Sequence, residues 1–204
     1  MNLLHLDSSI LGDHSVSRLL SAKAVAALTS ANADVTTTYR DLATAPIPHL
    51  SGAYLAAAQN QDGVADGAIA DDLATGRAVL QEFLAADTVV IGVALYNFGV
   101  SSQLKAWVDR ILIAGQTFRY GADGRPEGLA GGKRVILTVA RGGFYGPGAP
   151  AAPYEHAETY MRAVLGFIGI TDVTVVVAEG VAAGPEPRAA ALAAADQQIA
   201  ALAA

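Results

Sequence analysis

Residues 88–99 read Thr-Val-Val-Ile-Gly-Val-Ala-Leu-Tyr-Asn-Phe-Gly, an almost unbroken apolar run that ends abruptly in two aromatics, an amide and a glycine. A run with no polar alternation is what a strand buried on both faces requires, and such strands belong to parallel sheets covered by helices. Four more short apolar or β-branched runs flank it, at 3–7 and 35–40 on one side and 134–140 and 173–178 on the other, and three of the five read as near-continuous apolar runs. Longer alanine-rich segments separate them, the alternation expected of an α/β architecture. Helices are predicted to begin near Ser17, Ala65, Ser101, Pro153 and Pro185, with Ser101 or Ser102 as a cap and Pro185 in a first turn. The stretch Ala45-Pro46-Ile47-Pro48-His49 reads as a surface excursion with room for a short helix. The five strands fit a doubly wound parallel sheet of order 2-1-3-4-5 with helices on both faces. One domain over residues 1–204 is the expectation. Ligands sit in such sheets outside the carboxyl ends of the first and third strands.

The 204 residues are 52% apolar and 16% charged, which excludes a disordered chain. Thirteen basic against nineteen acidic residues leave a net charge of −6 with no Lys/Arg cluster, so nucleic acid and anionic membrane are poor partners. Zero cysteines remove disulfides, thiolate nucleophiles and Cys-ligated metal centres, so redox chemistry here needs a borrowed cofactor. The N-terminal apolar run ends at Asp7 without a basic leader, and no stretch approaches about 18 apolar residues. A soluble cytoplasmic protein is expected. The apolar content leaves enough surface for an extra buried face such as a dimer interface.

Three loops carry candidate chemistry, each at the carboxyl end of a predicted strand. After the first come Asp7-Ser8-Ser9, Gly12, Ser15 and Ser17, four hydroxyls around the start of a helix. A helix N-terminus with flanking hydroxyls binds phosphate without a lysine, although serines also serve there as plain caps. No G-x-G-x-x-G and no G-x-x-x-x-G-K-[ST] occurs in the turn, which favours a mononucleotide such as FMN over a dinucleotide or a Mg²⁺-nucleotide. After the third strand, Leu95-Tyr96-Asn97-Phe98-Gly99 offers aromatic packing for a planar ring system, or for the core of the next helix. After the fourth, Ala140-Arg141-Gly142-Gly143-Phe144-Tyr145 carries paired glycines that let backbone amides approach a ligand, or that form a plain turn. Amides aimed at the pyrimidine half of a flavin would stabilise its reduced, anionic form.

His5, His14, His49 and His156 show no metal-ligand spacing, and only His14 falls inside the proposed phosphate loop. There is no G-x-S-x-G elbow, so acyl transfer is not expected.

Ser8-Ser9-Ile10-Leu11, Ser15-Val16-Ser17, Tyr96-Asn97-Phe98, Ser102-Gln103-Leu104-Lys105, Thr117-Phe118-Arg119-Tyr120, Arg141-Gly142-Gly143 and Gly166-Phe167-Ile168-Gly169-Ile170 together closely resemble the FMN-dependent NADH:azoreductases, bacterial NAD(P)H:quinone oxidoreductases. The resemblance covers nearly the whole chain in one order. It implies a flavodoxin-like homodimer with tightly bound FMN at the subunit interface. By that resemblance Ser9, Ser15, Val16 and Ser17 would hold the ribityl phosphate, while Leu95, Tyr96, Asn97, Phe98, Ala140, Arg141, Gly142 and Gly143 would surround the isoalloxazine. Val16, Leu95 and Ala140 stand where relatives often carry Gln, Met and Ser, and Phe144 and Tyr145 replace a polar or histidine residue after the glycine pair.

The expected reaction is a ping-pong transfer of hydride from NADH or NADPH through the flavin to a quinone or azo compound, with no side-chain nucleophile. Phe98, Tyr120 and Tyr145 are the acceptor-pocket candidates, Tyr120 from the partner subunit. Two other readings stay open: a flavodoxin-like carrier of single electrons, and a flavin-free interaction or sensor domain that has kept only the fold.

Overall fold

The computed structural model describes residues 1–59 and 67–203. In chain order it contains β1 (Asn2–Asp7), α1 (Val16–Ala31), β2 (Thr36–Asp41), α2 (Gly52–Gln59), α3 (Gly67–Ala85), β3 (Thr88–Ala94), α4 (Ser102–Ile111), β4 (Phe118–Tyr120), β5 (Pro126–Gly128), β6 (Arg134–Arg141), α5 (Ala157–Phe167), β7 (Asp172–Glu179) and α6 (Pro185–Ala200). Short 3-10 turns occupy Gly12–His14 and Ala152–Tyr154. Five strands form one parallel sheet, in the order β2-β1-β3-β6-β7. Counting only those five, the order is the expected 2-1-3-4-5.

The expected strand at 88–94 coincides with β3, and the others differ by a residue at one or both ends. All seven residues of β3 are buried, because β3 lies between β1 and β6 with helices over its alternate residues. On one face Leu4, Leu6, Ile91, Val93 and Leu137 pack against Phe83 of α3, Trp107 of α4 and Met161 and Leu165 of α5. On the other, Leu3, Val90, Ile136 and Val176 pack against Val16, Leu20 and Leu28 of α1 and Ala195 and Ile199 of α6. The Trp107 ring meets Phe83 edge-on at 5.7 Å between centroids, a favoured aromatic geometry. Among the described residues no helix is long and apolar enough to cross a membrane.

Two expected helix starts are adjusted, a third lies outside the described residues, and one element carries no expectation. The helix expected near Ser17 starts at Val16, because Ser15 is its cap and accepts the Arg18 N–H at 3.3 Å. The start expected near Ala65 lies outside the described residues. No α-helix begins at Pro153: that residue sits in a 3-10 turn, and α5 begins at Ala157 because the Glu155 carboxylate accepts the amides of Ala157, Glu158 and Thr159 at 3.1, 2.9 and 3.2 Å. The antiparallel β4–β5 hairpin was not expected at all. Its flanks are tied to neighbouring elements: Thr117 Oγ1 donates to the Ile111 carbonyl at 2.6 Å, and the Ala130 N–H donates to Ile168 O at 2.9 Å. Lying between the end of α4 and the beginning of β6, the hairpin occupies the amino edge of the sheet.

Gly92 of β3 sits in register with Asp7 of β1, and a Cβ there would lie 2.5 Å from Asp7 Oδ1 and 3.4 Å from the Ser17 carbonyl oxygen. Gly92→Ala is therefore expected to lower the unfolding free energy by about 1–3 kcal/mol, the usual cost of overpacking, read as a shifted urea midpoint. Gly166→Ala, on an open part of α5, is expected to be neutral or slightly stabilising in the same assay.

Candidate functional site

The carboxyl ends of β1, β3 and β6 converge on one cleft of about 250 Å³. Seven of the twelve residues assigned to FMN line it: Ser9, Ser15 and Val16 from the first loop, Leu95 and Tyr96 from the second, Ala140 and Gly142 from the third. His14 lines it too.

The first loop is shaped by one arginine. Arg18, in the first turn of α1, grips Asp41 at the end of β2 through two bonds of 2.8 and 2.6 Å, and it donates to the Ser9 carbonyl from Nε and Nη2 at 3.1 and 2.8 Å. That bidentate fork raises Arg18 above its ordinary range and holds the Asp41 carboxyl down at about 2; the Ala43 amide, at 2.9 Å, adds to the effect on Asp41. Beneath the loop, buried Asp7 accepts the hydroxyls of Ser21 at 2.8 Å and Tyr39 at 3.1 Å. Burial, followed by the charges of Asp7 and Asp41, raises the Tyr39 phenol to about 12. With the backbone fixed this way, the Ser9 hydroxyl pairs with the Tyr96 hydroxyl at 2.8 Å, tying the first loop to the second.

The second loop is a tight turn in which Tyr96 and Gly99 exchange backbone hydrogen bonds of 2.9 and 3.0 Å. Its central residues, Asn97 and Phe98, both have positive φ, 46° and 73°. For a phenylalanine that conformation costs about 1–2 kcal/mol and persists only when the surroundings hold it. Here the Phe98 carbonyl accepts the His156 N–H at 2.9 Å, and the Phe98 ring packs on Tyr154 at 5.3 Å. The ring is left 49% exposed, facing out of the fold.

The third loop presents backbone. Its Arg141 side chain is buried and turned away into a carboxylate cluster, 2.7 Å from Glu158, 3.4 Å from Glu179 and 3.5 Å from Glu155. The carbonyls of Arg141, Gly142 and Gly143 accept the amides of Val181, Ala182 and Gly180, which locks the glycine turn onto the β7–α6 connection. Tyr145 lies beside Gly143, its N–H donating to Glu179 at 3.0 Å.

The remaining assigned residues fall around the cleft in different ways. Ser17 is fully buried and its hydroxyl pairs with Ser15 at 3.1 Å. Ser8 faces the sheet and donates to the Gly92 carbonyl at 2.8 Å. Asn97, Phe98, Arg141 and Gly143 border the cleft as part of its loops. Phe98 and Tyr145 share the carboxyl edge, whereas Tyr120, 64% exposed on β4, sits at the opposite edge of the same chain. Sequence reasoning missed Arg18, Asp41 and Arg188, the last of which also lines the cleft. Arg18 lies three residues after a capping serine and Asp41 ends a strand, positions that point at the edge; nothing marks Arg188. A larger hollow of about 560 Å³, between α2, α3 and α4, contains none of the assigned residues. Among the described residues no three His, Asp or Glu side chains gather as a metal site.

A profile of the family described as Flavodoxin-like fold matches residues 1–203. The chain is 66% identical over 202 residues to an FMN-dependent NADH:quinone oxidoreductase of Xanthomonas campestris pv. campestris, covering 99% of each chain. Among solved structures it is similar to an azoreductase from Bacillus anthracis str. Sterne, with a TM-score of 0.90 and 29% identity over 100% of this chain and 98% of that one. It is also similar to an FMN-dependent NADH-azoreductase from Bacillus anthracis str. Ames Ancestor solved in complex with FMN, with a TM-score of 0.88 and 26% identity over 99% and 98% of the two chains.

The Arg18–Asp41 clamp makes a pH-dependent contribution to stability. Because folding depresses the Asp41 carboxyl from its ordinary 3.8 to about 2, the stabilisation is complete above about pH 4 and disappears as pH falls towards 2. Asp41→Asn is expected to cost on the order of 2 kcal/mol at pH 6. In urea titrations the difference from the parent chain should shrink steadily between pH 4 and pH 2; a pH-independent difference contradicts the assignment.

Proposed function

We propose, from the premise that the chain belongs to the flavodoxin-like family of FMN-dependent NADH:quinone oxidoreductases, that it binds FMN tightly in the carboxyl-edge cleft and reduces quinone or azo acceptors with NADH or NADPH by a ping-pong cycle. The observation that carries this reading is the Ser9–Tyr96 hydroxyl bond of 2.8 Å, which joins a phosphate-type turn to a strained aromatic turn across one cleft. The local residues fit the group. Ser9, Ser15 and the first amides of α1 offer donors and a positive dipole end to a phosphate. Gly142 and Gly143 offer backbone without a side chain in the way, and Leu95 to Phe98 offer an apolar, aromatic wall. When bound, FMN supplies the hydride chemistry that no side chain of a cysteine-free chain provides.

The protein's own contribution is positional. Arg18 fixes the Ser9 carbonyl and so the turn that receives the phosphate. The left-handed turn at Asn97 and Phe98 spends backbone strain to present its aromatic ring outward. Phe98 and Tyr145 line the place where donor and acceptor take turns, and a ring at Phe98 excludes water from one side. Such oriented groups lower the barrier by placement, without a nucleophile.

The cleft, at about 250 Å³, is small beside typical ligand sites of roughly 300–1,000 Å³. Around it Ile10, Leu11, Phe98, Phe144 and Tyr154 expose large apolar side chains, a rim of the kind that marks an interaction surface. Both features support a homodimer in which a second copy completes the cleft and brings Tyr120 from its own β4. The chain acts as a single domain of 1–204 in the cytoplasm.

Protein reconstituted with FMN and mixed anaerobically with NADH is expected to lose its oxidised-flavin absorbance within one turnover and to regain it on addition of a quinone. Initial rates at several fixed acceptor concentrations should give parallel double-reciprocal lines. Flavin that stays oxidised with both NADH and NADPH overturns the oxidoreductase reading, and reduction without quinone turnover favours the electron carrier.

A further inference from the structure

The carboxyl edge of the sheet gathers three arginines, and two of them are already committed. Arg18 is held by Asp41 and the Ser9 carbonyl, and Arg141 by Glu155, Glu158 and Glu179. The third, Arg188, lies in the first turn of α6. Its guanidinium makes one long bond, Nη1 to the Val181 carbonyl at 3.4 Å, and among the described residues it forms no ion pair. It is half-buried and lines the cleft with Ser9, His14 and Ser15, and among the described residues no carboxylate lines that cleft. Glu186, two residues earlier, is exposed, and residues two apart do not face each other on a helix.

Its placement follows from the fold. Helices α1 and α6 both leave the carboxyl edge of the parallel sheet and share one apolar cluster, in which Val16 of α1 joins Val181, Ala191 and Leu192. The first turns of the two helices therefore sit side by side, and a long side chain from one reaches the N-terminus of the other. A guanidinium carries five N–H donors in a rigid fork that matches phosphate oxygens. With only one donor used, in a partly desolvated and otherwise uncharged cleft, it is suited to an anion.

We infer that Arg188 is a phosphate-specificity residue, supplying to the phosphate dianion of a flavin mononucleotide an uncommitted side-chain charge, since Arg18 in the serine-rich first turn of α1 is already held by Asp41 and the Ser9 carbonyl. The inference deepens the FMN reading above and rests on it. Arg188 thus discriminates FMN from riboflavin, which differs from it only in the phosphate. It also offsets the repulsion between that dianion and a chain of net charge −6.

The test is to titrate flavin-free parent protein, Arg188→Gln and Arg188→Lys separately with FMN and with riboflavin, following quenching of flavin fluorescence. Arg188→Gln is expected to weaken FMN binding roughly ten- to a hundredfold, the effect of a lost charge-assisted bond, while riboflavin affinity stays within about twofold. Arg188→Lys should fall between, and Lys23→Ala, which removes an equal charge from the exposed side of α1, should leave both affinities unchanged. Equal losses for the two ligands, or unaltered FMN binding, overturn the assignment. If Arg188→Gln loses its urea transition, the Lys variant decides: a selective loss for FMN supports the assignment and a shared loss overturns it. A parent chain that binds neither flavin refutes the FMN reading itself, a result distinct from failure at Arg188 alone.

Discussion

A parallel sheet has no face to spare for water, and the need to cover both faces of β3 organises this molecule. Each strand must be followed by a helix that crosses the sheet and returns, so every strand-to-helix loop of the sheet falls on the same edge. Three loops widely separated in sequence meet there because the strands that carry them are neighbours in the order β1-β3-β6. Hydrophobic burial, which has no chemical specificity, thereby sets the position of the cleft and the directions from which it is lined.

Within that frame, buried guanidiniums act as staples. Arg18 joins the ends of β1 and β2 to α1, and Arg141 joins the end of β6 to β7 and α5. Away from the cleft, Arg110 does the same for α4: it donates to the Pro48 carbonyl and to Asp72 of α3 at 2.8 Å each, with its guanidinium over the Tyr54 ring at 3.7 Å. A planar, permanently charged group with several donors suits such junctions better than a lysine, since it can satisfy a carboxylate and a carbonyl together. Breaking any one staple leaves an uncompensated charge under the surface, which costs more than forming the pair gains.

The aromatic turn beside the cleft is held by its own hydrogen bonds. Positive φ at two consecutive non-glycine residues is unfavourable locally, yet Tyr96–Gly99, Ser9–Tyr96 and Phe98–His156 bonds over-determine the turn. Strain held in this way is a feature of sites that must present a group in one direction.

Continuity of the apolar run makes β3 legible, since burial on both faces leaves its mark in consecutive residues at 88–94, whereas β2, largely exposed at the sheet edge, is legible only from its β-branched residues. Ser101 as the cap of α4 and Pro185 in the first turn of α6 were equally legible, because their roles are local. The hairpin at 118–128 was not, because it has only three residues per strand and its flanks are tied to Ile111 and Ile168. Nor was the start of α5, which a carboxylate two residues before it determines. At the site, chain order places Ser9, Ser15, Tyr96 and Gly142 on three loops that line one cleft. The residue types alone could not say that Ser17 and Arg141 would turn inward while Arg188 would turn to the cleft. By itself the sequence determined which residues arrive at the carboxyl edge, since that depends on periodicity and chain order. Only the tertiary structure decided which side chains remain available there, because availability depends on the partners that packing brings within hydrogen-bond reach.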